Sequence, residues 1–272
     1  MNRYALPSRF GIERFSVLGV GVSALDLDRA SGFVLDWVRQ DRRTYVTVTG
    51  VHGVMEARQD PDFGRILDQA GMVTPDGMPL VYVGRSRGFS LKRVYGPDLM
   101  LALMAATCDG SVKHYFYGGG DGVAELLEDR LQDRFPGIAV AGRHTPPFRP
   151  LTEAEEMGIV DRINNSGADI VWVGLSTPKQ EVWMARMRER LAPAVLIGVG
   201  AAFDFHAGLK PQAPRLMQMM ALEWLFRLAT EPRRLWRRYL RNNPLFLFDL
   251  FRETLGLKRF DPPRRQLRND AS

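Results

Sequence analysis

The sequence predicts an α/β fold: a largely parallel sheet flanked by helices, followed by a basic helical C-terminal appendage. Three observations carry this. Short β-rich apolar runs alternate with amphipathic helical patterns through the first two-thirds of the 272 residues. Those runs end in turns of Gly, Thr, Ser and Pro that lead straight into helical patterns. After about Ala213 the texture changes to aromatic residues interleaved with arginine.

In chain order, the runs at 15–20, 45–48, 71–73, 114–117, 138–141, 168–173 and 194–199 predict strands, being short and apolar. The patterns at 28–40, 53–59, 62–70, 97–107, 122–135, 153–165, 179–191 and 214–228 predict helices. Such alternation gives a Rossmann-like arrangement, in which ligands bind beyond the carboxyl ends of the strands. Motifs at strand-to-helix turns therefore carry the most functional weight. The expected organisation is a core over 1–212, a basic aromatic helical appendage over 213–260 and a disordered tail over 261–272.

The net charge of +6 is unevenly spread. Between Arg227 and Arg268 lie 12 Lys/Arg and 4 Asp/Glu, against 25 and 27 in the rest of the chain. All the excess positive charge therefore belongs to the C-terminal segment. There Arg234, Arg237, Arg238 and Arg241 recur at helical spacing among Trp224, Phe226, Trp236, Tyr239, Phe246, Phe248 and Phe251. That pattern suits an interfacial helix on an anionic membrane surface, or a solvated charged face over core aromatics. No nucleic-acid recognition motif accompanies it, so nucleic acid is not an expected partner. Exposed apolar helices there could also serve a homo-oligomer interface. The first 15 residues lack the apolar core of a signal peptide, and no run reaches membrane-spanning length. A cytoplasmic protein, peripheral on the inner face of the plasma membrane, is expected. The single cysteine, Cys108, excludes an intrachain disulfide and is expected to be a buried structural thiol.

Five turns could carry chemistry. Thr74-Pro75-Asp76-Gly77 follows a strand, and Asp76 reads either as a turn residue or as a carboxylate that accepts a proton from an attacking hydroxyl. Val173-Gly174-Leu175-Ser176-Thr177-Pro178-Lys179-Gln180-Glu181 runs from a strand into a helix N-terminus, where amides and Lys179 attract an anion such as a nucleotide diphosphate. Tyr117-Gly118-Gly119-Gly120-Asp121 lets backbone approach a phosphate or sugar, with Asp121 as the expected N-cap. Thr49-Gly50-Val51-His52-Gly53 ends the second strand, and His52 either contacts substrate or satisfies a local backbone group. In Gly198-Val199-Gly200-Ala201-Ala202-Phe203-Asp204, Asp204 binds a sugar hydroxyl or caps a turn. The D-x-D pairs Asp26-Leu27-Asp28 and Asp60-Pro61-Asp62 read as helix starts and breaks rather than metal ligands. No metal site and no cofactor is expected.

Taken together, Thr74-Pro75-Asp76-Gly77, Arg93-Val94-Tyr95-Gly96, Tyr117-Gly118-Gly119, Pro178-Lys179-Gln180-Glu181, Gly198-Val199-Gly200-Ala201-Ala202-Phe203-Asp204 and Glu223-Trp224 with Glu231-Pro232-Arg233-Arg234 resemble the WecG/TagA/CpsF family of bacterial glycosyltransferases (glycosyltransferase family 26). The resemblance implies transfer of a sugar from a UDP-sugar to a polyprenyl-diphosphate-linked sugar, with inversion and without an obligatory metal. It implies Asp76 as general base and Arg93 and Gln180 as polar active-site residues. Thr49, Gly50, His52, Gly118, Gly119, Gly174, Pro178, Lys179, Glu181 and Asp204 become expected substrate-binding positions. Arg233, Arg234, Arg237 and Arg238 become expected contacts to the diphosphate or the membrane. Many members show a T-x-N turn after the second strand, whereas this chain reads Thr49-Gly50-Val51. A hexose such as glucose, for an exopolysaccharide, therefore stands beside N-acetylmannosamine as the expected donor sugar. The alternative from another class is a non-catalytic nucleotide-sugar-binding protein tethered to the membrane.

Overall fold

The computed structural model describes residues 2–262. The chain opens with an antiparallel sheet of β1 (Ala5–Arg9), β2 (Ile12–Val17) and β3 (Val20–Ser23). The strand expected over 15–20 is thus a hairpin. Leu18 and Gly19 take φ of 51° and 85°, the left-handed pair of a tight two-residue turn that puts Val17 opposite Val20. A leucine in that conformation carries no turn signal, which is why the run reads as one continuous strand. At Gly19 a methyl group would stand 2.7 Å from the Asp261 carbonyl oxygen, so the C-terminal segment closes over this turn.

Six strands form the parallel central sheet: β4 (Thr44–Thr49), β5 (Met72–Pro75), β6 (Lys113–Gly118), β7 (Ala139–His144), β8 (Ile170–Gly174) and β9 (Val195–Gly198). Their spatial order is β5-β4-β9-β8-β6-β7. Alternate side chains serve opposite faces. Val46, Met72, Phe116, Trp172 and Ile197 meet α1 (Leu27–Arg39), α5 (Gly96–Ala106), α6 (Val123–Arg134) and α9 (Ala202–His206). Tyr45, Val73, Tyr117, Val171 and Leu196 meet α7 (Glu153–Asn165) and α8 (Lys179–Met187). Burial on both faces explains why these strands read as apolar runs. A further core joins the hairpin to α2 (Val51–Gln59), α3 (Pro61–Gln69) and α4 (Met78–Ser86).

The C-terminal helices are α10 (Arg215–Met219), α11 (Glu223–Thr230) and α12 (Pro232–Thr254). The single helix expected over 214–228 is broken where Ala221 takes φ 60°. Phe246 and Phe260 insert into the hairpin core, and Glu253 pairs with Arg87 where both side chains are under a tenth exposed. Residues beyond 246 therefore share a core with residue 15. None of the described helices is long and apolar enough to cross a membrane. The tail expected to be disordered lies, from residue 263 onward, outside the described residues.

Three smaller expectations are corrected. Cys108 is exposed, because α5 ends at Ala106 and the thiol falls in the following turn. Asp121 does not cap α6; Gly122, at φ 75°, is the N-cap and makes no side-chain bond. Asp26, rather than Asp28, caps α1 by accepting the Arg29 N–H, and Asp60 caps α3.

Candidate active site

Every turn singled out above lies at the carboxyl edge of the central sheet. Strand register makes this so: Thr49 pairs with Pro75, Gly118 with Gly174, and Val173 with Gly198. Beyond that edge are two cavities of about 360 and 740 Å³. Ser176, Gly200, Ala201 and Arg234 line both, so they form a seam between the two.

Asp76 sits in the smaller, main cavity. Its backbone N–H donates to the Thr49 carbonyl at 3.0 Å, which continues the β4–β5 ladder by one residue and fixes the turn. One carboxylate oxygen, Oδ1, accepts the Gly96 N–H at 3.4 Å. A methyl group built on Gly50 would stand 3.8 Å from Oδ2, so the bare glycine keeps the approach to that oxygen open. The residue is half-buried in the cavity wall. Burial raises its pKa from 3.8 to about 6; Arg93 pulls against this and Glu223 adds to it.

Arg93 lines the same cavity but is fully engaged by protein. Its Nε donates to the Asp76 carbonyl, Nη1 to Gln218 Oε1 at 2.9 Å and Nη2 to Glu223 Oε2 at 2.5 Å. The guanidinium also lies 4.0 Å from the centre of the Tyr95 ring. Arg227, on α11, has an enclosed Nε with no hydrogen-bond partner and forms no salt bridge among the described residues. It faces Tyr239, Glu223 and Asp76. On α12, Arg234 and Arg238 are one turn apart and both line the cavity. Arg234 pairs with Glu231 at 2.8 Å. Burial and then the charge of Arg234 push the Arg238 pKa down.

His52 lines the main cavity as a neutral imidazole. Burial, reinforced by Arg238, lowers its pKa to about 4, and Asn242 Nδ2 donates to its Nδ1 at 3.0 Å. Gln180 is 2% exposed and lines the cavity near Gly200; Glu181 is 1% exposed and lies behind it. Gly119, Gly174, Pro178, exposed Lys179 and Asp204 line the second cavity, where Asp204 pairs with Lys210 at 2.7 Å.

Other expected positions lie outside both cavities. Thr49 is buried with its hydroxyl 3.3 Å from that of Thr47. Gly118, at φ 118°, is a packing position: a methyl group there would meet the Gly174 carbonyl at 2.7 Å. Arg233 and Arg237 are exposed on the outer side of α12.

The glycosyl transferase WecG/TagA/CpsF family matches this sequence over residues 15–260. The chain belongs to that family. It is a glycosyltransferase. This glycosyltransferase is 31% identical, over 205 residues, to the N-acetylglucosaminyldiphosphoundecaprenol N-acetyl-β-D-mannosaminyltransferase of Bacillus spizizenii. The alignment covers 75% of this chain and 77% of the relative.

Sequence reasoning did not single out Gln218, Arg227, Tyr239 or Asn242 as site residues, and it gave Glu223 no role. Arg227 lies on α11 and Arg234 on α12, with the break at Glu231 between them, so their approach is set by helix packing and not by spacing. All of them reach the cavity only through tertiary packing.

Proposed function

We propose that this glycosyltransferase moves a hexose or N-acetylhexosamine from a UDP-sugar to a polyprenyl-diphosphate-linked sugar, in cell-surface or exopolysaccharide biosynthesis. The observation that carries the reading is Asp76, a half-buried carboxylate on the cavity wall whose pKa burial raises to about 6, with one oxygen open beside Gly50. Such a group is mostly ionised at neutral pH yet more basic than an ordinary carboxylate, so it accepts a proton readily. The activity of the Bacillus relative supplies the acceptor class.

The nucleotide half of the donor fits the second cavity, against Gly119, Gly174 and the opening of α8, where helix amides favour an anion. Its sugar then crosses the seam at Ser176 and Gly200 into the main cavity. The acceptor hydroxyl attacks the anomeric carbon from the Asp76 side, and its proton passes to Asp76. The bond from the anomeric carbon to the diphosphate oxygen breaks, and UDP departs with the electron pair. One displacement inverts the anomeric configuration. Arg227, Arg234 and Arg238 surround the path with positive charge and stabilise the leaving diphosphate.

The outer side of α12 supports membrane docking. Trp236, Leu240 and Phe251 are exposed along it, flanked by exposed Arg233, Arg237 and Arg241. An apolar stripe edged by arginine suits an anionic bilayer surface, where a polyprenyl-linked acceptor resides.

The test is a screen of UDP-sugars with short-chain lipid-diphosphate-linked acceptors, read as UDP release and glycosylated product. Product with at least one pair supports the reading. UDP-sugar binding without turnover on any acceptor would instead support the tethered binding protein.

A further inference from the structure

Trp224 is half-buried on α11 and lines the main cavity, but it has no share in the second. Two links tie its position to Asp76. Glu223, the residue before it, holds Arg93 at 2.5 Å, and Arg93 holds the Asp76 carbonyl. The Tyr239 ring stands edge-to-face with the indole, 6.0 Å between centroids and 64° between planes. Such a contact fixes the plane of the indole. Among the described residues no ring stacks on Trp224 and its N–H has no hydrogen-bond partner, yet packing does not close that atom off.

The cavity's other aromatic walls are taken. Tyr95 and Phe246 are only 5% and 2% exposed, and the Arg227 guanidinium lies 6.0 Å from the centre of the Phe205 ring. Trp224, backed by Tyr239, is therefore the aromatic surface that the cavity offers a ligand. A pyranose ring suits it. Its rim of hydroxyls hydrogen-bonds, whereas its axial C–H groups form an apolar face that gains by leaving water for an aromatic plane. An indole supplies that plane with few torsions to freeze. An O–H turned onto the same face would lose its water and find no acceptor there.

We infer that the acceptor's sugar ring lies on Trp224, and that this contact selects a ring with only C–H groups on the face it presents. The inference rests on the acceptor placement proposed above, in which the attacking hydroxyl points to Asp76 and the diphosphate to the arginines. The donor sugar enters at the seam, which Trp224 does not line. The ring against the indole therefore belongs to the acceptor.

The experiment is calorimetric titration of the full chain, saturated with UDP, with a short-chain isoprenyl diphosphate. The probe is used bare and carrying glucose, galactose, mannose or allose. Glucose shows C–H groups on both faces; galactose and mannose each turn a hydroxyl onto one face, and allose turns one onto the other. Either the first two epimers or the third should bind about tenfold or more weakly than the glucose form. Trp224→Leu should narrow that gap to within about twofold, and Trp224→Phe should keep most of it. Both variants should bind UDP and the bare diphosphate as the native chain does. A flat epimer series, or a gap that survives Trp224→Leu, would overturn the inference and leave the functional reading intact. The inference falls equally if Trp224→Leu weakens the bare and glucose-bearing probes alike, since Trp224 would then only place the helix. No binding of either probe would remove the acceptor placement and the inference with it.

Discussion

Arg93 holds Asp76 by its backbone and not by its carboxylate. The Arg93 Nε donates to the Asp76 carbonyl, and its other nitrogens are taken by Gln218 and Glu223. Had the guanidinium paired with the carboxylate, it would have lowered the Asp76 pKa further than its charge already does and occupied the lone pairs a base must use. The arrangement instead fixes the turn and leaves the carboxylate outside any ion pair among the described residues, with Oδ1 accepting the Gly96 N–H. It also ties α10 and α11 to the carboxyl edge of the sheet, since Gln218 and Glu223 come from those helices.

The first expectation concerns pH. Transfer that needs ionised Asp76 should rise with pH through about 6 and level off above it. Asp76→Asn should lower the rate by about 10²–10⁴-fold. The stability effect has the opposite sense. With its pKa raised in the folded state from 3.8 to about 6, Asp76 favours folding most at low pH, and that advantage is lost as pH rises through 6. Above pH 6 the Asn variant should therefore melt no lower than the native chain. A pH–rate profile of kcat/KM with no inflection near 6 would remove Asp76 as the base.

Arg93→Lys separates charge from geometry. Lysine keeps the positive charge but cannot reach the Asp76 carbonyl, Gln218 and Glu223 together. The acidic limb of the pH profile should stay near 6, while kcat falls by roughly 10–10²-fold through misplacement of the turn. If kcat is unchanged and only the limb shifts, Arg93 acts through its field and not through position.

The α12 helix has an inward and an outward role that single substitutions can divide. Glu253 is buried against Arg87, so Glu253→Gln strands an arginine and should cost about 3–5 kcal/mol of stability, read by urea unfolding. Phe251 is 60% exposed, so Phe251→Ser should leave the melting temperature nearly unchanged and weaken binding to anionic vesicles. Removing everything after 212 would combine both effects, because Phe246 and Phe260 leave the hairpin core as well. Vesicle binding unaffected by Phe251→Ser together with Trp236→Ser would argue that this face does not meet the bilayer.

What the sequence reveals of this molecule follows physical range. Strands such as Ile170–Gly174 are legible because burial on both faces forces an apolar run. Asp76 is legible because a polar turn after a strand falls at the ligand-binding edge of an α/β sheet. The hairpin at Leu18 is not, since its left-handed leucine is imposed by strand pairing and by the closing C-terminal segment. Nor are the cavity's distant partners. Glu223 reaches Arg93 across 130 positions and Asn242 reaches His52 across 190, contacts that no local pattern encodes.

Arg238 gives the last expectation. It lines the main cavity and forms no salt bridge among the described residues, and burial and the neighbouring Arg234 both work against its charge. Like charges held together at a cavity disfavour the empty fold and are relieved when an anion binds. Arg238→Gln should therefore leave the ligand-free melting temperature equal or slightly higher, while weakening UDP binding. UDP should raise the melting temperature of the native chain by more than that of the variant, since ligand stabilisation scales with affinity. Added salt should shrink the native advantage by screening the arginines. Equal UDP-induced shifts in both proteins, at low and high salt, would mean that Arg238 does not contact the diphosphate.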